Sequence, residues 1–190
     1  MVVWPVSDTI GKQGILSHAR KHFPKAMEFI KKRRIAIQAG GNVGVYPLHL
    51  SEYFDAVHTF EPDPENFACL QQNIKGNEKI YAHHCALGSA KGKIGLYRWP
   101  GNCGMACPIE GDEFEVCTID GFGFNDVDLI WLDVEGYETK VLEGAKQTIE
   151  RCRPVLIFEN IGLGDSPRKW AESKGYKFIT RIKNDDIMSC

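Results

Sequence analysis

Short apolar runs alternate with helix-period segments from Ile35 onward, and that alternation limits the fold more than any other feature. Ile35–Ala39, Ala56–Phe60 and residues 80–87, 129–132 and 155–158 have the length and apolarity of buried strands. Between them, Asp63 stands where a helix N-cap is expected and Pro64 at the first helical position, with Phe67, Leu70 and Ile74 sharing one face. Tyr137, Val141, Leu142, Ala145 and Ile149 line another helix, and Ser166-Pro167 starts a last one that Gly175 ends. Strands that alternate with helices predict an α/β fold: a mostly parallel sheet with helices on both faces.

Two stretches break the pattern. Residues 88–127 show no helical period; "GKIGLYRW" and "FEVCTID" read as strands around an irregular insertion, "PGNCGMACPIEGD". The segment "YKFITRIKNDDIMSC" reads as a hairpin around Asn184-Asp185, antiparallel where the rest is parallel. At 190 residues the chain is expected to be one domain, with residues 1–33 as a helical lead-in and 34–190 as the core.

Composition excludes several classes. Apolar residues make up 43% and charged residues 25%, as in a soluble globular protein, and no run approaches the ~18 apolar residues of a membrane span. The "MVVWPV" start carries no basic leader, and seven irregularly spaced cysteines suit reduced thiols, so a cytoplasmic setting is expected. Between Arg20 and Arg34 stand seven basic residues against one acid, Glu28, in a chain of net charge -2. The segment is read as a solvated helix face just before the first strand, and nucleic acid is not expected as a partner.

In an open parallel sheet, ligands bind beyond the carboxyl ends of the strands, so the residues just after each strand are the candidates. After the first comes "QAGGNVG", which fits two patterns. Ala39, Gly41 and Gly44 match a dinucleotide turn with its first glycine replaced; Gln38, Gly40, Asn42 and Gly44 match acid-x-G-x-N-x-G with the acid turned into its amide. After the second strand comes Glu61, 17 residues beyond Gly44, where an acid bonds the hydroxyls of a ribose. Asp133 and Glu135 follow the fourth strand, and Glu159 with Asn160 ends the fifth; Glu138 is read as helix N-terminal charge. Acids gathered at strand ends are costly unless solvated, paired or used. Cys103 and Cys107, with Cys117 and His83-His84, lack the tighter paired spacing of a zinc site, and no metal is expected. Cys69, Cys85 and Cys152 read as small packing residues, His49 and His58 as structural.

"QAGGNVG", "FEPDPENFACLQQNI", "ALGSAKGKIGLY", "TIDGF", "DLIWLDVEGYETKVLEGA" and "RPVLIFEN" follow the order and spacing of the FkbM-type methyltransferases, and the chain resembles that family from about Ile35 to the terminal hairpin. The resemblance implies the class I Rossmann-like sheet, seven-stranded with its last strand antiparallel. It also implies S-adenosyl-L-methionine as cofactor and methyl transfer to a hydroxyl of a sugar or small natural product, hence a small-molecule or glycan acceptor. By the same resemblance Gln38, Gly40, Asn42 and Gly44 would surround the methionine part of the cofactor. Glu61 would hold its ribose and the region of residues 85–87 would border the adenine, with Pro62, Ala86 and Leu87 among the cofactor-binding residues. Asp133 would sit at the sulfonium and, with Glu159, would be a candidate general base; Asn102, Gly104 and Glu135 would face the substrate. Gln38 stands where the family usually has an acid, and Trp131 where it often has a lysine. The residues alone leave two rivals: an NAD-dependent oxidoreductase using Ala39, Gly41 and Gly44, and a catalytically degenerate nucleoside-binding domain, for which Gln38 is the motive.

Overall fold

A computed structural model describes residues 2–160 and 166–190, apart from the side chains of residues 18–22, which include Arg20 and Lys21 of the basic segment. Helix α1 (Gly11–Met27) leads into strand β1 (Ile35–Ala39), α2 (Val45–Ser51), β2 (Ala56–Phe60), α3 (Pro64–Asn73) and β3 (Ile80–His83). There follow β4 (Ala86–Leu87), β5 (Gly92–Arg98), β6 (Ala106–Cys117) and a 3-10 turn at Ile119–Phe122. The chain then runs through β7 (Val127–Leu132), α4 (Glu138–Glu143), α5 (Lys146–Cys152), β8 (Val155–Glu159), α6 (Pro167–Ser173), β9 (Lys177–Ile182) and β10 (Asp185–Ser189).

Seven strands form one sheet in the order β3-β2-β1-β7-β8-β10-β9. Pairing is parallel from β3 to β8, and β10 runs antiparallel to both of its neighbours, as the resemblance implies. Successive residues on a strand point to opposite faces, so each buried strand feeds two cores. Ala36, Trp131, Ile157 and Ile187 pack with α1 and α2; Ile37, Ile130, Leu156 and Met188 pack with α4, α5 and α6. The order in which strands are added reverses between the parallel neighbours β1 and β7, which puts a crevice above the carboxyl ends of those two strands.

Several expectations hold to the residue. Asp63 caps α3, accepting from the Glu65 and Asn66 amides, and Ser166 caps α6. Four differ. Residues 80–87 are two strands, because the chain bends at His84-Cys85 and β4 joins a second sheet, β4-β6-β5. The helix expected over 137–149 is broken at Gly144, where a Cβ would lie 1.9 Å from the Gly88 carbonyl oxygen. The broken end is repaired by Asp120, whose carboxylate accepts from the Gln147 and Thr148 amides of α5. Much of the insertion read as irregular is the long strand β6, and the hairpin turns at Lys183-Asn184 rather than at Asn184-Asp185.

The described part of the basic segment is not a free cationic face throughout. Arg34 binds Asp128 through its backbone amide and its guanidinium, and also pairs with Asp126; Arg33 lies over the Tyr53 ring. Among the described residues, no helix is long and apolar enough to cross a membrane.

Candidate active site

Beyond the carboxyl ends of β1, β2 and β7 lies a cleft of about 850 Å³, counted to its open mouth. Its floor is the β1 turn, Ala39 to Asn42, with the end of β7 at Asp133 and Val134. The second sheet supplies an apolar wall through Ile94, Leu96 and Pro108, and Ala86 and Leu87 close the far side.

The glycine turn is shaped by packing before any ligand arrives. A Cβ at Gly40 would lie 2.0 Å from the Asp133 carbonyl oxygen, so only glycine lets the ends of β1 and β7 meet. Gly40 (φ 85°), Asn42 (φ 47°) and Gly44 (φ 93°) are all left-handed. Gly44 caps α2 and faces Leu70 and Ile74 of α3, so it shapes the turn without lining the cleft.

Gln38 is placed otherwise than the resemblance implies. It is 1% exposed and absent from the cleft wall. Its Oε1 accepts from Thr59 Oγ1 at 2.6 Å, and its Nε2 donates to the Ala39 and Gly40 carbonyls at 3.2 and 2.8 Å. The amide therefore pins the turn from beneath. A carboxylate could not make the two donations, which is a physical reason for glutamine at this position.

Glu61 does line the cleft. Oε2 accepts from the Asn42 amide at 2.7 Å and Oε1 from the Asp63 amide at 2.8 Å, so one carboxylate joins the β1 turn to the cap of α3. Burial pushes its pKa up to about 7 despite those two bonds. Pro62 lies beside it on the wall.

At the other end the cleft meets a group of acids. Ligand atoms of Asp133, Glu135 and Glu159 all lie within 4.8 Å of one another, and among the described residues this is the sole grouping able to hold a metal ion. Asp133 and Glu135 line the cleft, whereas Glu159 stands behind them, its Oε1 accepting from Asn184. Burial, then the charges of Asp185 and Glu159, raise the Asp133 pKa well above the usual carboxylate range. Burial, then Glu159, pushes Glu135 and Asp185 each up to about 7. Glu135 is itself left-handed (φ 53°), and Glu138, at the start of α4, accepts from the Val134 and Gly136 amides that frame it. Among the described residues, no lysine, arginine or histidine lines the cleft.

Asn102 and Gly104 separate. Gly104 lines the cleft; Asn102 faces the adjoining hollow between α3 and the β5–β6 loop, where its Oδ1 accepts from the Gly104 amide. Trp131 is fully buried, stacked on Phe23 of α1 at 5.4 Å, in the core rather than the cleft. The sequence reading missed Tyr46, Tyr137, Cys103 and Ile15 on the wall, and Asp185 behind it. Asp185 had a signal: the first residue of an antiparallel last strand lies at the same end as the parallel strands' carboxyl ends.

A profile of the FkbM methyltransferase domain matches residues 38–178. No curated protein matches the chain. Among solved structures, methyltransferase FkbM from Methylobacillus flagellatus is similar at a TM-score of 0.58 and 17% identity, over 85% of this chain and 44% of that one. The ribosomal protein L11 methylase from Lactobacillus delbrueckii subsp. bulgaricus gives 0.56 at 10% identity, over 91% of this chain and 78% of that one. TrmK from M. capricolum, solved with S-adenosyl-homocysteine, gives 0.51 at 11% identity, over 89% and 66%. This chain thus spans under half the length of the Methylobacillus protein.

Proposed function

The chain belongs to the FkbM methyltransferase domain family, and on that premise we propose that it methylates a hydroxyl oxygen of a sugar or small natural product, with S-adenosyl-L-methionine as donor. The observation that carries the reading is the polarity of the cleft: a glycine turn with Glu61 at one end, and Asp133 with Glu135 at the other, with no cationic side chain among the described residues of the wall. A donor with a sulfonium and an ammonium brings the positive charge that this wall lacks.

The residues fit that donor. Gly40, Asn42 and Gly104 leave backbone exposed to it, and Glu61, already set by two backbone amides, keeps lone pairs for ribose hydroxyls. Ala86, Leu87 and Pro62 offer the flat apolar border an adenine needs. When bound, S-adenosylmethionine supplies an electrophilic methyl group and a neutral thioether leaving group. Asp133 is assigned as the general base: it lies on the wall, and burial, with its acidic neighbours, makes it more basic than an ordinary carboxylate. As the acceptor oxygen forms its bond to carbon, the hydroxyl proton passes to Asp133. Glu159, behind it, sustains that basicity through like charge, and Glu135 orients the acceptor. Holding both reactants in one cleft supplies much of the remaining acceleration.

Calorimetry with S-adenosylhomocysteine and, separately, with NAD tests the donor. Binding of NAD alone sinks the proposal. A homocysteine-release screen over sugars, phenols and amines then tests the acceptor; turnover confined to amines would replace the O-methyl assignment with an N-methyl one.

A further inference from the structure

Residues 5–15 lie outside the segment that the family profile matches, yet they close one side of the cleft. Ile15 of α1 lines it directly. The rest act through the β5–β6 loop, residues 99–105, which carries Cys103 and Gly104 onto the wall.

The contacts are specific. Asp8 Oδ1 accepts from the Gly11 amide at 2.9 Å and from the Cys103 amide at 3.1 Å, and Oδ2 accepts from the Lys12 amide at 3.0 Å. The Thr9 and Ile10 amides and the Thr9 hydroxyl all donate to the Gly101 carbonyl. From the cleft side, the Cys103 carbonyl accepts from Asn42 Nδ2 at 2.6 Å and Asn66 Nδ2 at 2.9 Å. Cys103 is thereby gripped on its amide by Asp8 and on its carbonyl by the glycine turn and α3. The approach is also tight: a Cβ at Gly101 (φ +73°) would lie 2.5 Å from Thr9 Oγ1, and one at Gly11 2.8 Å from Asn102 Oδ1. Two glycines permit the crossing, and one carboxylate holds it.

We propose that Asp8 is a positioning residue that latches the 99–105 loop across the cleft, so that the N-terminal segment sets how long the cleft retains its nucleoside ligand. The proposal rests on the reading that this cleft binds S-adenosylmethionine and its product. Asp8 touches no reacting atom; its carboxylate reaches the ligand only through Cys103 and Asn42. A charged acceptor shared by three amides is worth more than a neutral one, so losing it should be felt at the loop rather than across the sheet.

The test compares wild-type protein with Asp8→Ala and Asp8→Asn. In Asp8→Ala, S-adenosylhomocysteine should dissociate roughly tenfold faster in stopped flow, and the KM for S-adenosylmethionine should rise while kcat changes little. Amide exchange should quicken at residues 99–104 and stay unchanged in β1 and β7. Asp8→Asn keeps an oxygen for the Cys103 amide and should recover part of both effects. Unchanged exchange at 99–104 in Asp8→Ala overturns the latch, as does faster exchange with unchanged ligand dissociation. A lowered melting temperature with neither local effect overturns it too, since that is a purely structural role. If the wild type binds no S-adenosylhomocysteine, the cofactor reading fails by itself, and the exchange comparison alone decides whether Asp8 holds the loop.

Discussion

Asp185 and Asp186 are neighbours on β10, buried on opposite faces of the sheet, and their environments pull in opposite directions. Burial works against charge at Asp186, but hydrogen bonds from Arg168, Arg181 and Asn160 outweigh it and bring the pKa down to about 2. Asp185 faces Glu159 and the cleft acids, and burial with their like charge pushes it up to about 7. One face has compensated its charge and fixed α6, β9 and β10 to one another; the other gathers Asp133, Glu135 and Glu159, and among the described residues no cation lines the cleft beside them. The cleft acids are therefore a charge left open for a ligand, at some cost to the empty protein.

Breaking the open side should show first in rate. Asp133→Asn should lower kcat by about 10²–10⁴-fold while leaving S-adenosylhomocysteine affinity within a few-fold, by homocysteine release and calorimetry. A full-rate Asp133→Asn enzyme would remove Asp133 from the chemistry. Breaking the compensated side should do the reverse. Asp186→Ala strands two arginines that remain part-hydrated, so chemical denaturation should show a loss of about 2–3 kcal/mol, with kcat preserved below the melting range. A kcat loss equal to that of Asp133→Asn would erase the distinction.

Glu61 is an intermediate case, a buried acid held by amides alone. Glu61→Ala should weaken cofactor-product binding by about 1–3 kcal/mol, and an unchanged dissociation constant would take the ribose away from it. The pH response gives a smaller signal of fixed sign. Acids whose folded pKa lies above the unfolded value bind more protons when folded, so their stabilisation is complete below the unfolded pKa and is lost as pH rises. Glu61, Glu135 and Asp185, each near 7, and Asp133 above its usual range, place that loss between about pH 4.5 and somewhat above 7. The ligand-free protein should therefore be more stable at pH 6 than at pH 8, by about 1–2 kcal/mol, and Asp133→Asn should flatten the slope. Smallest of all is Gln38→Glu, which puts a carboxyl against two carbonyls: a stability loss of about 1 kcal/mol and no tighter cofactor binding. Tighter binding would mean that position 38 reaches the ligand after all.

Much of this was legible in the residues, and the parts that were not share a cause. β1 and β2 matched their apolar runs, and Asp63-Pro64 and Ser166-Pro167 marked helix starts, because each of those signals is local. The strand-end acids Glu61, Asp133 and Glu135 could be found because topology alone sends strand ends to the crevice. The break at Gly144 depends on the Gly88 carbonyl, and the direction of Gln38 on Thr59. The grip of Asp8 on Cys103 spans 95 positions. None of these partners is marked by period or spacing, so a motif could place Gln38 beside the cofactor while the side chain is spent on the turn.

The sheet order has a consequence for synthesis. β10 follows β9 in the chain but lies between β8 and β9 in the sheet. During translation the open side of β8 therefore has no partner until residues 185–189 have left the ribosome, and β9 must leave room for a strand not yet made. Asp186, the anchor of both arginines, is in that same late strand. The chain through β8 can collapse around β1, β2 and β7 early, but a nascent chain halted before residue 185 presents a bare strand edge and two guanidiniums without Asp186. Such an edge is the kind of surface that chaperones bind and that aggregates grow from.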